Sequence, residues 1–439
     1  MNSTFETVSR SKGIYISEEI EYFAQFVEVW NNVTRMKKCV ACILLLAALL
    51  LGSCSGPLFP GSQSPVETAA DLTAADLSSA DAEAYVHREQ NLLFRDGEEV
   101  TLRAVNFDNL TWYSDPAAGG ELFCTLHHDE SDFEAVSELG FNAIRFFLKW
   151  DDLYTDASCS VRKAAGWDWL QQNIEWAKDN DIYLILDFHC PYGGFGSTNQ
   201  GVWDIWTEED ARNAFLRAWT DIARFCAAET IVAGYDLMNE PSLPEDGENL
   251  YRDLLTDAIE AIRVEDPYHL VIVEAAVGID GIAESWLRPN WVTVEEDNLM
   301  YSFHFYEPLG FTHVSPEGTA VMNYPSDSFD REDMVAAIED CIGEDFLMDY
   351  PIFLGEFGCL DWTPGSGSEE WIRDVYEICA EEGIHTALFA YRSFEVFEDK
   401  DDYSFAISRM YTGAPTDDGV EEESNMVLEE LLQSIFAGS

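Results

Sequence analysis

The stretch Tyr235-Asp236-Leu237-Met238-Asn239-Glu240-Pro241 follows the apolar run Ile231-Val232-Ala233-Gly234. An apolar run of this length closed by a turn signal reads as a buried strand. It ends on an amide, a carboxyl and a proline. A carboxyl at the mouth of a buried strand is costly unless it has partners or a task. Working outward, the same pattern recurs along the chain. Runs that read as strands cover Thr101–Phe107, Ala143–Leu148, Ile182–His189, Ile231–Leu237, His269–Ala275, Leu299–Tyr306, Pro351–Phe357 and His385–Arg392. Helical patterns lie between them, clearest at Asp132–Leu139, Gly166–Lys178, Glu208–Ala228, Asn249–Val264, Arg331–Cys341 and Ser368–Glu382, and Val427–Ile435 reads as a closing helix. Upstream, Asn91–Phe94 and Glu99–Leu102 flank Arg95-Asp96-Gly97, a hairpin signal.

Buried strands alternating with helices predict an α/β protein with a parallel sheet. Closed on itself, that sheet is a (β/α)8 TIM barrel with a short N-terminal hairpin, and 439 residues are enough to build it. The competing architecture is an open doubly wound sheet. As a nucleotide enzyme it would need a phosphate-binding glycine fingerprint after an early strand, and the sequence has none.

Four segments are expected. Met36-Lys37-Lys38 is a positive flank, and Cys39–Leu51 is an apolar run too short to span a membrane. Leu51-Gly52-Ser53-Cys54 resembles a bacterial lipobox, which makes residues 36–53 a lipoprotein signal peptide and Cys54 the lipidated residue. Translation is then expected to start at Met36, leaving residues 1–35 as a gene-model extension or a disordered segment; the competing reading is an uncleaved anchor or an ordinary signal peptide. Residues 54–81, rich in Ser, Pro, Ala, Gly and Asp, read as a flexible tether, and residues 82–439 as the barrel domain.

A formal charge of −59 argues against nucleic-acid or anionic-membrane partners, which need basic patches. It suits a neutral ligand such as a sugar polymer. The expected protein is an exported, cell-surface or periplasmic lipoprotein, or a secreted one, that touches the membrane only through its lipid and is monomeric. No cofactor or metal is expected, because the cysteines beyond Cys54 lack zinc-site spacing. Cys124 and Cys159, both in predicted loops, are a possible disulfide pair. His127-His128-Asp129 reads as a solvated loop opening a helix, with Asp129 or Ser131 as cap, in preference to a metal cluster. The acidic run Glu398–Asp402 lacks EF-hand spacing and reads as a solvated loop.

In a parallel barrel, polar residues at the C-terminal ends of strands face the active site. Strand two offers Arg145, strand three His189, strand four Asn239 and Glu240, strand six His304 and Tyr306, and strand seven Glu356. Each alone has a structural explanation: a buried cation, a core histidine, a helix cap, an ion pair. Their joint placement at one end of successive strands is hard to produce by chance. Two glutamates facing each other across a barrel mouth are what glycoside hydrolysis needs, one as proton donor and one as nucleophile. A carboxylate beside an arginine stays ionised, whereas one flanked by an amide and apolar groups holds its proton longer.

The blocks "GFNAIRFF" (140–147), "LILDFH" (184–189), "GYDLMNEP" (234–241), "FHFYEP" (303–308) and "LGEFG" (354–358) resemble the signature blocks of glycoside hydrolase family 5, the cellulase family of retaining (β/α)8-barrel glycosidases. The resemblance covers roughly residues 90–435. It implies that Glu240 is the general acid/base and Glu356 the nucleophile. Asn239 would bond the sugar 2-hydroxyl, Arg145 and Tyr306 would hold and ionise Glu356, and His189 and His304 would bind the sugar next to the cut. One departure stands out. The family ends strand eight with a Trp that floors the sugar, and here the segment is "LFAYRSF" (388–394), leaving Phe389 or Tyr391 to supply the aromatic face. Trp112, Trp150, Trp203 and Trp206, near predicted loops, are further candidate platforms, with Trp150 and Trp203 among the expected substrate-binding residues.

The expected function is therefore a retaining β-glycoside hydrolase that cleaves β-1,4-linked glucan, acting on a β-glycan or oligosaccharide. A β-mannanase, or another β-glycosidase including one for glycolipid sugars, is the alternative within enzymes. A non-catalytic glycan-binding surface lipoprotein is the alternative of another class. A binding relic would be expected to have lost some of the supporting polar residues.

Overall fold

The computed structural model describes residues 82–111, 122–195, 203–277, 289–313, 322–360, 365–395, 406–411 and 421–437. The expected signal segment, Cys54, the tether, Trp112 and the Glu398–Asp402 run lie outside them. Eight strands close into an all-parallel barrel: β1 Arg103–Phe107, β2 Ala143–Lys149, β3 Tyr183–Cys190, β4 Val232–Asp236, β5 Leu270–Glu274, β6 Leu299–His304, β7 Ile352–Phe357 and β8 His385–Leu388. β8 pairs back onto β1 through Thr386–Arg103, Ala387–Ala104 and Leu388–Val105. Among the described residues the seven longer helices are α1 Glu130–Glu138, α2 Ala164–Asn180, α3 Glu209–Cys226, α4 Glu248–Glu265, α5 Arg331–Ile342, α6 Ser368–Glu382 and α7 Met426–Phe436. Among the described residues, no helix is long and apolar enough to cross a membrane.

Local chemistry explains the boundaries. Asp129 caps α1 by accepting from the Ser131 amide, and the Asp132 carboxylate accepts from the Asp129 amide in return. Asp330 and Asp333 repeat this capping box at α5. Such reciprocal caps satisfy amides that the first helical turn leaves unpaired. The hairpin closes on Asp96 and Gly97, both at positive φ (52° and 76°), the geometry a two-residue turn demands. It carries one strand more than expected. His87–Glu89, Leu92–Arg95 and Glu98–Val100 form a three-stranded antiparallel sheet.

The pleat alternates sides, so same-parity residues line the barrel interior. On that side Val86, Leu93 and Leu102 from the N-terminal segment pack with Ala104, Ala143, Ile185, Leu270, Ile272, Met300 and Phe353 in one buried apolar cluster. This cluster stoppers the N-terminal end. Two or four residues further along the same strands the interior turns polar: Asn106, Arg145, Asp187, Glu274, Ser302 and His304. The opposite faces of the strands and the helices form the larger apolar core.

Strand eight departs from expectation. It leaves the barrel at Leu388, and the Phe389–Ala390 peptide is cis. Arg392–Glu395 then joins a second small sheet, parallel to Ser408–Tyr411, which pairs antiparallel with Glu421–Ser424. No periodicity announces that sheet; a strand reading Glu-Glu-Glu-Ser has poor intrinsic preference, and context overrides it. Two other expectations are corrected. His127 and His128 are buried, bonded to each other and, through His128 Nε2, to Asn173, where a solvated loop was expected. Cys124 and Cys159 are both buried and are not joined in a disulfide.

Candidate active site

Arg145 organises the mouth. It projects inward from β2 and is fully buried. Its Nε donates to Asp236 (2.8 Å), Nη1 to Glu356 (2.9 Å) and Asn106 (3.1 Å), and Nη2 to Glu274 (2.6 Å) and Asn239 (3.1 Å). Asp187 lies 3.0 Å from Nη2. The guanidinium fork thus ties together residues from β1, β2, β3, β5, β7 and the end of β4. This is a use of planar, multi-donor geometry that lysine cannot reproduce.

Glu356 arrives by an irregularity. Phe353 faces the interior, so strict alternation would put Gly355 inside and Glu356 outside. The β6–β7 register shifts between Leu354, opposite Phe303, and Glu356, opposite His304. Gly355 absorbs the extra residue, and a bulge of this kind re-aims the side chain that follows it. The Glu356 carboxylate then accepts from Arg145 and, at 3.1 Å, from the Tyr306 hydroxyl.

Glu240 stands just past β4 with φ 42°, an uncommon conformation for a residue with a side chain. Its amide donates to Glu274 (2.7 Å), and its carboxylate meets His304 Nδ1 at 2.9 Å. His304 Nε2 faces Glu274 at 3.2 Å, and Nδ1 lies 3.6 Å from Glu356. Oxygens of Glu240 and Glu356 and a His304 ring nitrogen all fall within 4.8 Å of one another. This is the only group among the described residues with the spacing to hold a metal ion, and the nearby Arg145 cation disfavours one there.

Four carboxyls around one guanidinium cannot all ionise away from water. Burial pushes Asp187 well above the usual carboxylate range and Asp236 up to about 7. Burial also raises Glu356, against the pull of His304 and Arg145. For Glu274 burial is outweighed by His304, Arg145 and the Glu240 amide, which hold its carboxyl below the usual range. His304 is the mirror case: burial alone would strip its proton, yet the acids around it raise it well above an ordinary histidine. His189 is pushed well below, by burial and by the Arg145 and His304 charges. It stacks on Phe147 (3.7 Å between ring centroids) with Nδ1 2.7 Å from Asp187.

The expected residues Arg145, Asn239, Glu240, His304, Tyr306 and Glu356 therefore meet, with His189 beside them. The aromatic platforms fare differently. Phe389 is half-buried, its ring 6.3 Å from the Phe147 ring that covers His189. Tyr391 does not line the mouth: it is buried, stacked on Phe107, with its hydroxyl on Asp132. Trp203 is buried and stacks on Trp206, which bonds the Ser242 carbonyl, so both serve packing. Trp150 is partly exposed, edge-on to Tyr192. Sequence reasoning missed Asn106, Asp187, Asp236 and Glu274. Each was visible as a polar residue inside an apolar strand, and Asp236 lies within the stretch that opened the reading.

Fold and site together define a (β/α)8 barrel with paired carboxyls held at the C-terminal mouth of its strands. The family described as Cellulase (glycosyl hydrolase family 5) matches residues 95–395, more than half the chain. The chain belongs to that family. Among curated relatives it is similar to Endoglucanase C of Acetivibrio thermocellus, 24% identical over 198 residues, covering 44% of this chain and 55% of that one. The chain thus spans about half the length of that relative. Cellodextrinase A of Ruminococcus flavefaciens is 21% identical over 265 residues, covering 58% and 76%. Among solved structures, an endocellulase of Pyrococcus horikoshii complexed with cellotetraose shares the fold at a TM-score of 0.57 and 18% identity, over 80% of this chain and 98% of that one. Thermotoga maritima Cel5A in complex with mannotriose does so at 0.54 and 18%, over 76% and 97%.

Proposed function

We propose that the chain is a retaining β-glycoside hydrolase of the endoglucanase type, cleaving β-1,4-linked glucan by double displacement. The observation that carries this reading is the approach of Glu240 and Glu356 oxygens to within 4.8 Å. Retention requires carboxyls about 5 Å apart, whereas inversion needs wider spacing to admit a water. Glu356, held by Arg145 and Tyr306, attacks the anomeric carbon while Glu240 gives its proton to the departing oxygen. Water then attacks the glycosyl ester, Glu240 takes the water's proton, and Glu356 leaves as carboxylate. Asn239, fixed by Arg145, is placed for the sugar 2-hydroxyl, a contact that strengthens in the transition state. His189, as a neutral imidazole, orients the sugar beside the cut. Phe389 supplies the stacking face that Tyr391 and Trp203 do not.

Assays of residues 82–439 on carboxymethylcellulose, mixed-linkage glucan and mannan test the reading. Turnover of none of these, nor of aryl β-glycosides, would count against an enzyme. Glu356→Ala should lose activity and recover with azide, giving a glycosyl azide of inverted configuration; such rescue in Glu240→Ala would reverse the two roles. Mannan is the second substrate to try, because the mannotriose complex of Thermotoga maritima Cel5A shares this fold. The complete set of supporting polar residues argues against a binding relic. The N-terminal pattern supports an exported enzyme held by a lipid on Cys54, which mass spectrometry of the mature N-terminus would check.

A further inference from the structure

Glu274 closes β5 in the run Val271-Ile272-Val273-Glu274, and the double-displacement scheme gives it no task. It is nonetheless among the most heavily engaged side chains in the protein. Its Oε1 accepts from Arg145 at 2.6 Å and faces His304 Nε2 at 3.2 Å, and its Oε2 accepts the Glu240 amide at 2.7 Å. An ionised carboxyl is costly in a barrel interior unless every lone pair is used. Here donors from Arg145 on β2, His304 at the end of β6 and Glu240 past β4 occupy it.

His304 is the informative partner. Nε2 points at Glu274, while Nδ1 sits 2.9 Å from Glu240 and 3.6 Å from Glu356. An ionised carboxylate only accepts hydrogen bonds, so Nε2 carries a proton toward Glu274, and with Nδ1 also turned to a pair of carboxyls of which one is ionised, the ring carries two N–H groups and a positive charge. Around it stand Glu240 past β4, Glu274 on β5 and Glu356 on β7, with Arg145, Asp236 and His189 as the other charged or titratable neighbours. The Nδ1–H therefore faces both reacting carboxyls from one fixed point.

We propose that Glu274 is a positioning residue that clamps His304 and the Glu240 backbone, so that His304 keeps both ring protons through the cycle and directs Nδ1–H to whichever of Glu240 and Glu356 is ionised. This rests on the double-displacement reading. Before the first step Glu240 holds the proton and Glu356, 3.6 Å from Nδ1, is the reacting anion that the ring charge stabilises. When Glu356 attacks, the C–O bond breaks, the Glu240 proton goes to the leaving oxygen, and the ester at Glu356 is neutral. Glu240 is then the anion, and Nδ1–H turns to it. Water attack returns a proton to Glu240 and restores the Glu356 carboxylate. His304 gains and loses nothing in either step. Its charge stays in the site while the negative charge changes owner. Glu274 makes this possible by holding Nε2–H where neither step reaches it. Its bond to the Glu240 amide fixes the positive-φ residue that must serve both as acid and as base.

The test is 15N NMR of the histidine-labelled full chain, with His304→Asn identifying the resonance. In the wild type, His304 should remain doubly protonated well above the ordinary histidine value of about 6.5. Glu274→Gln should move that titration down by about one pH unit or more, and Glu274→Asp should restore most of it. The same variants, assayed on one aryl glycoside limited by glycosylation and one limited by deglycosylation, should slow both steps by about 10- to 100-fold in Glu274→Gln. A merely structural role would move neither the titration nor both steps together. A wild-type His304 that is neutral at pH 7 overturns the proposal even if the variants fail to fold, as does an unchanged titration in folded Glu274→Gln. Absence of turnover on every β-glycoside, with the His304 titration behaving as stated, sinks the glycosidase reading and leaves the clamp standing.

Discussion

Arg145 binds Glu356 and also sets the balance of charge among the acids around it. Its charge and that of His304 oppose the burial that raises Glu356. The sign of the resulting pH dependence follows. In the proposed reaction Glu356 must be ionised to attack, and burial raises its pKa, so activity falls as pH drops through a value above the ordinary glutamate pKa of about 4.3. The acid limb of kcat/KM should sit above that value. Arg145→Lys removes the fork that reaches four carboxyls, weakens the term favouring the anion, and should move the acid limb further up. It should also lower kcat/KM by about 100-fold or more and destabilise the fold by about 3 kcal/mol, because a buried ion cluster loses partners it cannot replace. An acid limb that stays put in the variant would show that Arg145 does not set the ionisation of Glu356. At this scale the sequence was legible where a carboxyl stands at a strand mouth beside a turn signal, as with Glu240 before Pro241 and Glu356 between Gly355 and Gly358. Glu274 and Asp187 were visible as polar residues in apolar strands, but their roles were not legible, because their partners come from other strands. Tyr391 shows the opposite failure: an aromatic two residues from the right place, turned toward Asp132 because the chain had already left the barrel.

Among the elements, β6 and β7 meet where register and chemistry coincide. A Cβ on Gly355 would lie 2.7 Å from Ser302 Oγ, closer than real side chains approach, and 3.2 Å from His304 Nε2, a contact tight enough that the ring must give way. Gly355→Ala should therefore press His304 off Glu274. Loss of about 10-fold or more in kcat with a stability cost of about 1 kcal/mol, read by kinetics and urea unfolding, is expected. Full activity would mean that the ring has room to yield. The strands were easy to read because both of their faces are covered, which makes them continuous apolar runs. The bulge at Gly355 was not, because a bulge shows only in pairing with a neighbour. The sheet built from Arg392–Glu395, Ser408–Tyr411 and Glu421–Ser424 was missed for the same reason.

Over the whole chain, 83 acidic residues face 24 lysines and arginines. Much of that excess can only repel itself, and repulsion between exposed charges is screened by salt. Raising sodium chloride from about 10 mM to about 1 M should lift the unfolding midpoint by several degrees, measured by calorimetry. A fall over that range would show that attractive surface pairs dominate. The apolar stopper at the N-terminal end of the barrel bears on the same question of charge from the inside. With Val86, Leu93 and Leu102 sealing the N-terminal end, the acids under Arg145 lie toward the opposite, C-terminal mouth. Under the proposed function, a glycan lying across that mouth covers it. The number of protons shared among Asp187, Asp236, Glu274 and Glu356 is then settled when the sugar docks, and each turnover runs on the inventory it was dealt.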